Sequence, residues 1–194
     1  MTQPMPPTDA ERRRFLLEML PPKSVGAEIG VHLGDFSQVI LDVMAPEHPH
    51  LIDPWRYQPS SEYEHALYGG RAEGGQREMD ERHAGVLTRF AEAIHAGQVT
   101  VHRGESVDVL RALPDGSLDW VYVDGNHTYE FVAQDLRLSL AKVKPGGLVT
   151  GDDYGEGGWW EGGVKQAVDE LAADGAAQLL LIRNGQFAFE TPHT

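Results

Sequence analysis

The chain alternates short apolar, β-rich runs with helical runs, and this alternation limits the folds it can adopt. The strand-like runs SVGAEIG, HPHLID, QVTVHRG, SLDWVYVDG and LVTG are separated by helical segments. This order is typical of an α/β fold, a parallel sheet with helices on both faces. One helix is predicted from Met79 to His95, and Lys144-Pro-Gly-Gly147 is expected to end another before LVTG. AQLLLIR and QFAFE, joined by Asn184-Gly185, predict an antiparallel hairpin as the sixth and seventh strands.

The length of 194 residues suits one domain with a full hydrophobic core, so we expect residues 1–194 to form a single domain. Residues 8–20 are predicted to form an N-terminal helix. Thr8-Asp-Ala-Glu11 has the form of a capping box, and Pro21-Pro22 would end the helix. Periodicity fails in residues 55–78, which we interpret as a loop insertion that serves as a lid or substrate loop.

The composition narrows the function classes. A formal net charge of −14 at pH 7 would repel phosphate backbones and anionic lipid, so neither nucleic acid nor membrane partners are expected. The absence of cysteine excludes disulfides, thiol catalysis and thiolate metal sites. No run approaches the ~20 apolar residues of a membrane span, and the first residues lack the apolar core of a signal peptide. We expect a cytoplasmic enzyme acting on a small-molecule acceptor, with a homodimer among the open oligomeric states.

Acidic residues follow two of the predicted strands at the point where each strand ends. Asp124 comes directly after LDWVYV, and the pair Asp152 and Asp153 comes directly after LVTG. In an open α/β sheet, ligands bind outside the carboxyl ends of the strands, so we expect the three carboxylates to converge there. Such an all-oxygen set suits Mg²⁺, Mn²⁺ or Ca²⁺. His127 would stand beside the metal as a candidate general base.

The turn after the first predicted strand indicates a nucleoside ligand. Gly30 and Gly34 would let the backbone approach a ligand where the next helix begins, and Asp53 stands at the end of the second strand. An acid at the end of the second strand, as Asp53 is, accepts hydrogen bonds from ribose hydroxyls in nucleoside-binding folds. His32 takes the place of the close-approach glycine that a pyrophosphate needs. Glu28 would repel a pyrophosphate but suits an ammonium group, as in S-adenosylmethionine.

These motifs resemble the class I S-adenosylmethionine-dependent methyltransferases. That family carries an acid-x-Gly-x-x-x-Gly loop, an acid after the second strand and a terminal antiparallel hairpin. More narrowly, the block DGNHTYEFVAQDL…VKPGGLVTGDDY is similar to the macrocin O-methyltransferase group, which methylates sugar hydroxyls of natural products with Mg²⁺. The resemblance covers roughly residues 24 to 170. It implies a Rossmann-like methyltransferase fold with S-adenosylmethionine as cofactor.

The resemblance also implies roles for single residues. Asp124, Asp152 and Asp153 match the family's metal ligands, and His127 matches its proposed base. This chain has Asp152 where those enzymes often carry glutamate, and the shorter side chain makes Asp152 the most indirect of the three. Ser106 falls in the region that meets the adenine. Asp124 is expected to contact the cofactor as well as the metal.

The predicted function is a Mg²⁺-dependent O-methyltransferase acting on a hydroxyl of a sugar or a catechol-like vicinal diol. The residues alone leave alternatives open: an NAD(P)-dependent oxidoreductase of Rossmann type, a non-catalytic nucleoside-binding protein, or a metal hydrolase. Asp53 could instead cap the turn at Pro54, the paired acids could bond locally to the backbone, and His127 could be structural. The glycine-rich segment around Trp159 and Trp160 could cover the core or form a flap.

Overall fold

The computed structural model describes residues 9–193, so the predicted helix start at Thr8 lies outside the described residues. The strands are β1 (Val25–Ile29), β2 (His48–Asp53), β3 (Thr100–Arg103), β4 (Leu118–Val123), β5 (Val143–Gly151), β6 (Gln178–Arg183) and β7 (Gln186–Glu190). The helices are α1 (Asp9–Leu17), α2 (Asp35–Met44), α3 (Gln76–Arg89), α4 (Ala91–His95), α5 (Ser106–Ala112), α6 (Tyr129–Lys142) and α7 (Gly163–Asp174), with a 3₁₀ helix at Ser61–Tyr63. Within this described part, no helix is both long and apolar enough to cross a bilayer.

The strands form one sheet in the order β3-β2-β1-β4-β5-β7-β6. The first five strands pair in parallel, whereas β7 pairs antiparallel with both β5 and β6. Parallel neighbours need long crossover connections, and the intervening helices supply them. The predicted α/β fold, with a mostly parallel seven-stranded sheet and a C-terminal antiparallel hairpin, is confirmed.

The hairpin between β6 and β7 turns at Asn184 and Gly185, whose φ angles are +54° and +78°. A two-residue type I′ turn requires positive φ at both positions, and asparagine and glycine tolerate that conformation best. The flanking residues Arg183 and Gln186 pair directly. This dipeptide therefore returns β7 to its place between β6 and β5.

Several boundaries differ from the sequence-based prediction. The N-terminal helix ends at Leu17 and not at Leu20, and α3 begins at Gln76, inside the predicted loop of residues 55–78. The helical run from Met79 to His95 is divided into α3 and α4, because the backbone leaves helical geometry at the buried Phe90. The predicted stop at Lys144-Pro-Gly-Gly147 lies inside β5 instead of before it. The ladder passes from the pair Leu118–Val143 directly to Trp120–Leu148. The four residues between them therefore form an irregularity in the strand.

Side chains alternate along the strands and pack on the two faces of the sheet. On one face, Ile29 of β1 shares a core with Val168 of α7. On the other face, Trp120 of β4 shares a core with Leu16 and Leu17 of α1. The N-terminal helix is thus held against the sheet by fully buried leucines, directly beneath the edge where the strands end.

Gly26→Ala should destabilise the fold, because β1 passes over the buried Trp120 ring at Gly26. A Cβ there would lie 2.0 Å from the ring. Overpacking of a filled core typically costs ~1–3 kcal/mol, and urea unfolding should show a loss of that size or more. The control is Gly85→Ala, at an exposed helical position with nothing within 4 Å. It should stabilise the protein by about 0.5–1 kcal/mol. Equal stability of the two variants would contradict the packing.

Candidate active site

A cavity of about 590 Å³ opens at the carboxyl ends of the parallel strands. This is where open α/β sheets bind their ligands. Among the residues predicted from the sequence, those that line the cavity are Gly30, Asp53, Ser106, Asp124, His127 and Asp153. Those that do not line it are Glu28, Gly34 and Asp152. The structure therefore brings together most of the predicted residues and leaves three of them outside the cavity wall.

Gly30 lets the loop after β1 pass close to the end of β4. Its φ is +93°, and a Cβ on it would lie 1.8 Å from the carbonyl oxygen of Asp124. The amides extend the ladder beyond the strands: Gly30 donates to the Ile52 carbonyl at 2.9 Å, and Asp124 donates to the Ile29 carbonyl at 2.8 Å. Both the backbone conformation and the space require glycine here.

Glu28 and Gly34 contribute to structure outside the cavity. Glu28 points to the face of the sheet that α2 covers, where the Ser37 hydroxyl donates a hydrogen bond to it. Burial raises the pKa of Glu28 to about 8. Gly34 precedes α2 with a φ of +78°, and a Cβ there would lie 2.8 Å from the Phe90 ring. Glu28 lies on the same face of the sheet as Asp53 and Asp124, but it stands within β1 beneath α2 and not at the strand end. Gly34 is required by its close packing against the Phe90 ring.

Asp53 anchors the loops on both sides of it. Its Oδ2 accepts hydrogen bonds from the amides of Val31 and His32, at 3.0 and 2.9 Å, and from the Tyr68 hydroxyl at 2.5 Å. Its Oδ1 accepts from the Trp55 amide at 2.7 Å. Burial raises the pKa of Asp53, while these four donors favour the carboxylate. Asp53 thus lines the cavity and ties the first loop to the loop after β2.

Ser106 begins α5 and donates a hydrogen bond to Asp135 at 2.6 Å. Burial raises the pKa of Asp135 to about 7. Both side chains line the cavity. A hydroxyl beside a carboxyl that titrates near neutrality offers donors and acceptors to a polar ring edge.

Asp124, His127 and Asp153 form a compact group on the cavity wall. One ligand atom from each lies within 4.8 Å of the others. His127 Nε2 lies 3.3 Å from Asp124 Oδ1, and Nδ1 lies 3.3 Å from Asp153 Oδ2. Burial would lower the pKa of His127, but the hydrogen bond and charge of Asp124, with the charge of Asp153, raise it. The imidazole is therefore oriented between two carboxylates.

Asp152 lies beneath this group and does not join it. Its side chain is 1% exposed, and its Oδ2 lies 2.6 Å from Arg13 Nη2. The Gln186 side-chain amide donates to its Oδ1. Burial raises the pKa of Asp152 to about 6. The three carboxylates predicted as one set are thus divided, with Asp124 and Asp153 on the cavity and Asp152 behind it.

Arg13 also lines the cavity, although no sequence motif identified it as a site residue. Its Nη1 donates to Asp124 Oδ2 at 2.5 Å while Nη2 reaches Asp152. Arg13 precedes the buried Leu16 by three residues, which places both on the same face of α1. That spacing is the signal that could have identified it in the sequence.

Aromatic side chains close the cavity beside His127. The Trp160 ring meets the imidazole edge-on at 4.7 Å, and the Trp159 ring lies nearly parallel to it at 6.3 Å. Tyr63, from the loop after β2, packs against Trp159 at 5.2 Å, and its hydroxyl accepts a hydrogen bond from Asn126 at 2.9 Å. The loop after β2 and the glycine-rich segment after β5 therefore meet at this wall.

A family model described as a methyltransferase domain matches residues 27–154, well over half of the chain. The chain belongs to this methyltransferase family. It is therefore an S-adenosylmethionine-dependent methyltransferase, which confirms the predicted enzyme class. The match favours this enzyme class over the oxidoreductase, hydrolase and non-catalytic alternatives.

Two curated relatives match this methyltransferase over short segments. An uncharacterised protein of Acanthamoeba polyphaga mimivirus is 36% identical over 66 residues, which are 34% of this chain and 29% of that protein. A tRNA (guanine-N(7)-)-methyltransferase of Sphingopyxis alaskensis is 38% identical over 60 residues, 26% of this chain and 25% of that protein. The matches thus span less than a third of the length of either relative.

Two solved structures resemble this methyltransferase over nearly its whole length. The O-methyltransferase NovP has a TM-score of 0.59 and 24% identity, covering 94% of this chain and 79% of NovP. The N-methyltransferase NodS of Bradyrhizobium japonicum, in complex with S-adenosyl-L-homocysteine, has a TM-score of 0.62 and 13% identity, covering 95% and 89%. At these identities the likeness shows the fold.

Glu28 should make the methyltransferase less stable as the pH rises. Its pKa in the folded protein, about 8, lies above the ordinary value of 4.5. The folded protein therefore keeps a proton that the unfolded chain releases between these values. The stabilisation from this proton is complete below the lower pKa and is lost as the pH rises through the upper one.

Glu28→Gln removes this titration and keeps the shape of the neutral side chain. It should match the wild type near pH 4.5 and exceed its stability at pH 8, by up to about 1.4 kcal/mol for each pH unit between. Urea unfolding across this range measures the difference. Glu92→Gln, at an exposed position of α4, is the control and should leave the pH dependence unchanged. A Glu28→Gln variant less stable than the wild type at pH 8 would show that the carboxylate stabilises the fold.

Proposed function

We propose that this methyltransferase transfers a methyl group to a hydroxyl oxygen of a small molecule, a sugar or a catechol-like vicinal diol, with Mg²⁺ or another hard divalent cation. The main evidence for this proposal is that Asp124, His127 and Asp153 share one cavity with Gly30 and Asp53. The cavity therefore has two adjoining parts: a candidate acceptor half at Asp124, His127 and Asp153, and a candidate cofactor half at Gly30 and Asp53. The resemblance to the macrocin O-methyltransferase group and the fold shared with NovP, an O-methyltransferase, support oxygen as the acceptor atom.

The residues present fit a hard divalent cation. Mg²⁺ is usually held by one or two carboxylates, with water and substrate oxygens completing its shell. Asp124 and Asp153 would hold the ion, and Asp152 would support them from beneath. A cation bound there would lower the pKa of an acceptor hydroxyl and help to orient it. Carboxylate and water ligands suit Mn²⁺ as well as Mg²⁺.

The cofactor half is formed by Gly30, Asp53 and Ser106. Asp53 would accept hydrogen bonds from the ribose hydroxyls, and the Ser106–Asp135 pair would face the adenine. Tyr68 already donates to Asp53 Oδ2, so ribose hydroxyls would compete with the Tyr68 hydroxyl for this carboxylate. Binding of S-adenosylmethionine would therefore require the loop after β2 to yield at Tyr68. The complex of NodS with S-adenosyl-L-homocysteine supports this class of cofactor for the shared fold.

His127 would act as the general base. Bound S-adenosylmethionine would supply the methyl group, with its sulfur keeping the electron pair of the broken bond. A ring nitrogen of His127 would accept the proton that the acceptor hydroxyl loses. The carboxylates of Asp124 and Asp153 orient the ring and would stabilise the imidazolium that results. The aromatic wall beside His127 would exclude water from the reacting atoms.

The acceptor is proposed to be a small molecule. Tyr63, Trp159 and Trp160 provide flat surfaces on which an aromatic ring or the apolar face of a sugar can pack. The Sphingopyxis relative is named for a tRNA substrate, but a net charge of −14 opposes the approach of a polyanion. The charge therefore favours a small vicinal diol over a nucleic acid.

S-adenosylhomocysteine should bind and NAD should not, because the loop at Gly30 lacks the glycine that a pyrophosphate needs. Calorimetry with each ligand, with and without Mg²⁺, measures this. Tyr68→Phe should tighten S-adenosylhomocysteine binding by about 0.5–1.5 kcal/mol, the net worth of the competing hydrogen bond. Tyr57→Phe, in the same loop, is the control and should change nothing. Weaker binding by Tyr68→Phe would show that Tyr68 supports the cofactor, and binding of NAD alone would refute the cofactor assignment.

His127→Ala should lower kcat by roughly 10²–10⁴-fold, the usual contribution of a general base. The Kd for S-adenosylhomocysteine should stay within about twofold, because the proposed task of His127 arises only during proton transfer. Methyl transfer should be screened on vicinal-diol sugars and catechols with Mg²⁺, and EDTA should abolish it. His95→Ala, at an exposed position of α4, is the control. Undiminished turnover in His127→Ala would leave His127 with a structural role.

A further inference from the structure

Arg13 holds two strand-end carboxylates at once. Its Nη1 lies 2.5 Å from Asp124 Oδ2, and its Nη2 lies 2.6 Å from Asp152 Oδ2. The side chain is 16% exposed, and its guanidinium lies 5.1 Å from the centre of the Phe36 ring. A planar guanidinium is suited to such a two-pronged contact, whereas a lysine ammonium is a single point charge. Arg13 is therefore an enclosed partner of these acids.

The helix that carries Arg13 is firmly attached to the sheet. Leu16, Leu17 and Leu20 follow Arg13 and are buried in the core that contains Trp120. Moving Arg13 away from the acids would require this apolar contact to open. Fully burying a leucine side chain contributes about 1.5–3 kcal/mol, so the position of Arg13 is stably maintained.

Asp152 is engaged on both of its oxygens. Arg13 contacts Oδ2, and the Gln186 side-chain amide donates to Oδ1. Gln186 is itself fully buried and accepts a hydrogen bond from the Tyr122 hydroxyl at 2.7 Å. The carboxylate of Asp152 is thus held beneath the cavity by residues from α1, β4 and β7.

We propose that Arg13 is a positioning residue that keeps Asp152 out of the ligand set of the divalent cation, a role that rests on the function proposed above. Three carboxylates carry three negative charges, and Arg13 cancels one of them. The two remaining charges match a divalent cation. Arg13 also occupies Asp124 Oδ2, which leaves Oδ1, the oxygen nearest His127, directed to the cavity. Without Arg13, Asp152 would join the site and favour a trivalent cation.

Arg13→Met tests this role through binding alone, with Mn²⁺ followed by electron paramagnetic resonance and Tb³⁺ by its luminescence. The variant should bind Tb³⁺ at least about tenfold more tightly than the wild type, because one partly buried charge interaction exceeds the 1.4 kcal/mol of a tenfold change. Mn²⁺ affinity should rise less. Arg13→Lys retains the charge and should lie between the two. Arg14→Met is the matched control, since Arg14 is 60% exposed and pairs with Glu18 on the outer face.

Asp152→Asn keeps the proposal testable if Arg13→Met does not fold. In the wild-type background it should weaken Mn²⁺ binding by about tenfold, because it removes one negative charge near the ion but no bond to it. In the Arg13→Met background it should remove the gain in Tb³⁺ affinity. A weakening of Mn²⁺ binding by well over about a hundredfold in Asp152→Asn alone would overturn the proposal, because Asp152 would then be a ligand.

The outcomes distinguish a failure of the role proposed for Arg13 from a failure of the proposed function. If the wild type binds Mn²⁺ and Arg13→Met gains no Tb³⁺ affinity, the role of Arg13 is wrong and the divalent site stands. If only Arg13→Met binds either ion, Arg13 blocks the site, and both its positioning role and the metal dependence of the wild type are wrong. Binding in neither protein overturns both. Loss of S-adenosylhomocysteine affinity in Arg13→Met, with ion binding unchanged, would make Arg13 a cofactor ligand instead.

Discussion

The parallel pairing of four neighbouring strands determines where the site residues lie. Ile29 of β1 pairs with Ile52 of β2 and with Val123 of β4, and Val123 pairs with Gly151 of β5. The residue after each of these positions therefore stands at the same level: Gly30, Asp53, Asp124 and Asp152. A slip of one residue in any pair would turn the following side chain to the other face. The hydrogen bonds of this ladder thus place the glycine turn and three acids at a common edge.

Grouping carboxylates at one edge brings an electrostatic cost that the surrounding residues reduce in different ways. Asp53 accepts four hydrogen bonds from the loops that it joins. Asp124 and Asp152 share the Arg13 guanidinium, and His127 lies between Asp124 and Asp153. Glu28 accepts a hydrogen bond from the Ser37 hydroxyl, and burial raises its pKa furthest toward the neutral form. The most exposed of these acids, Asp153, lines the cavity together with Asp53 and Asp124.

The acceptor side of the cavity depends on two irregular segments. The loop after β2 supplies Tyr63 and Tyr68, and the glycine-rich segment after β5 supplies Trp159 and Trp160. Both segments are attached to strand-end residues, since Tyr68 bonds Asp53 and Trp160 packs on His127. The rigid sheet therefore positions the charged groups, while the loops shape the space that an acceptor would fill.

Local patterns were sufficient to predict the succession of strands and helices along the chain, the antiparallel hairpin and the acids at the strand ends. These features follow from residue periodicity and from turn chemistry such as Asn184-Gly185, which act between near neighbours. Only the tertiary structure decided that Asp153 faces the cavity and Asp152 faces Arg13. Arg13 also bonds Asp124, which is 111 positions away in the sequence. It likewise placed Glu28 outside the cavity and Tyr68 on Asp53. Such outcomes depend on the pleat of the sheet and on contacts between distant segments, which no local pattern encodes.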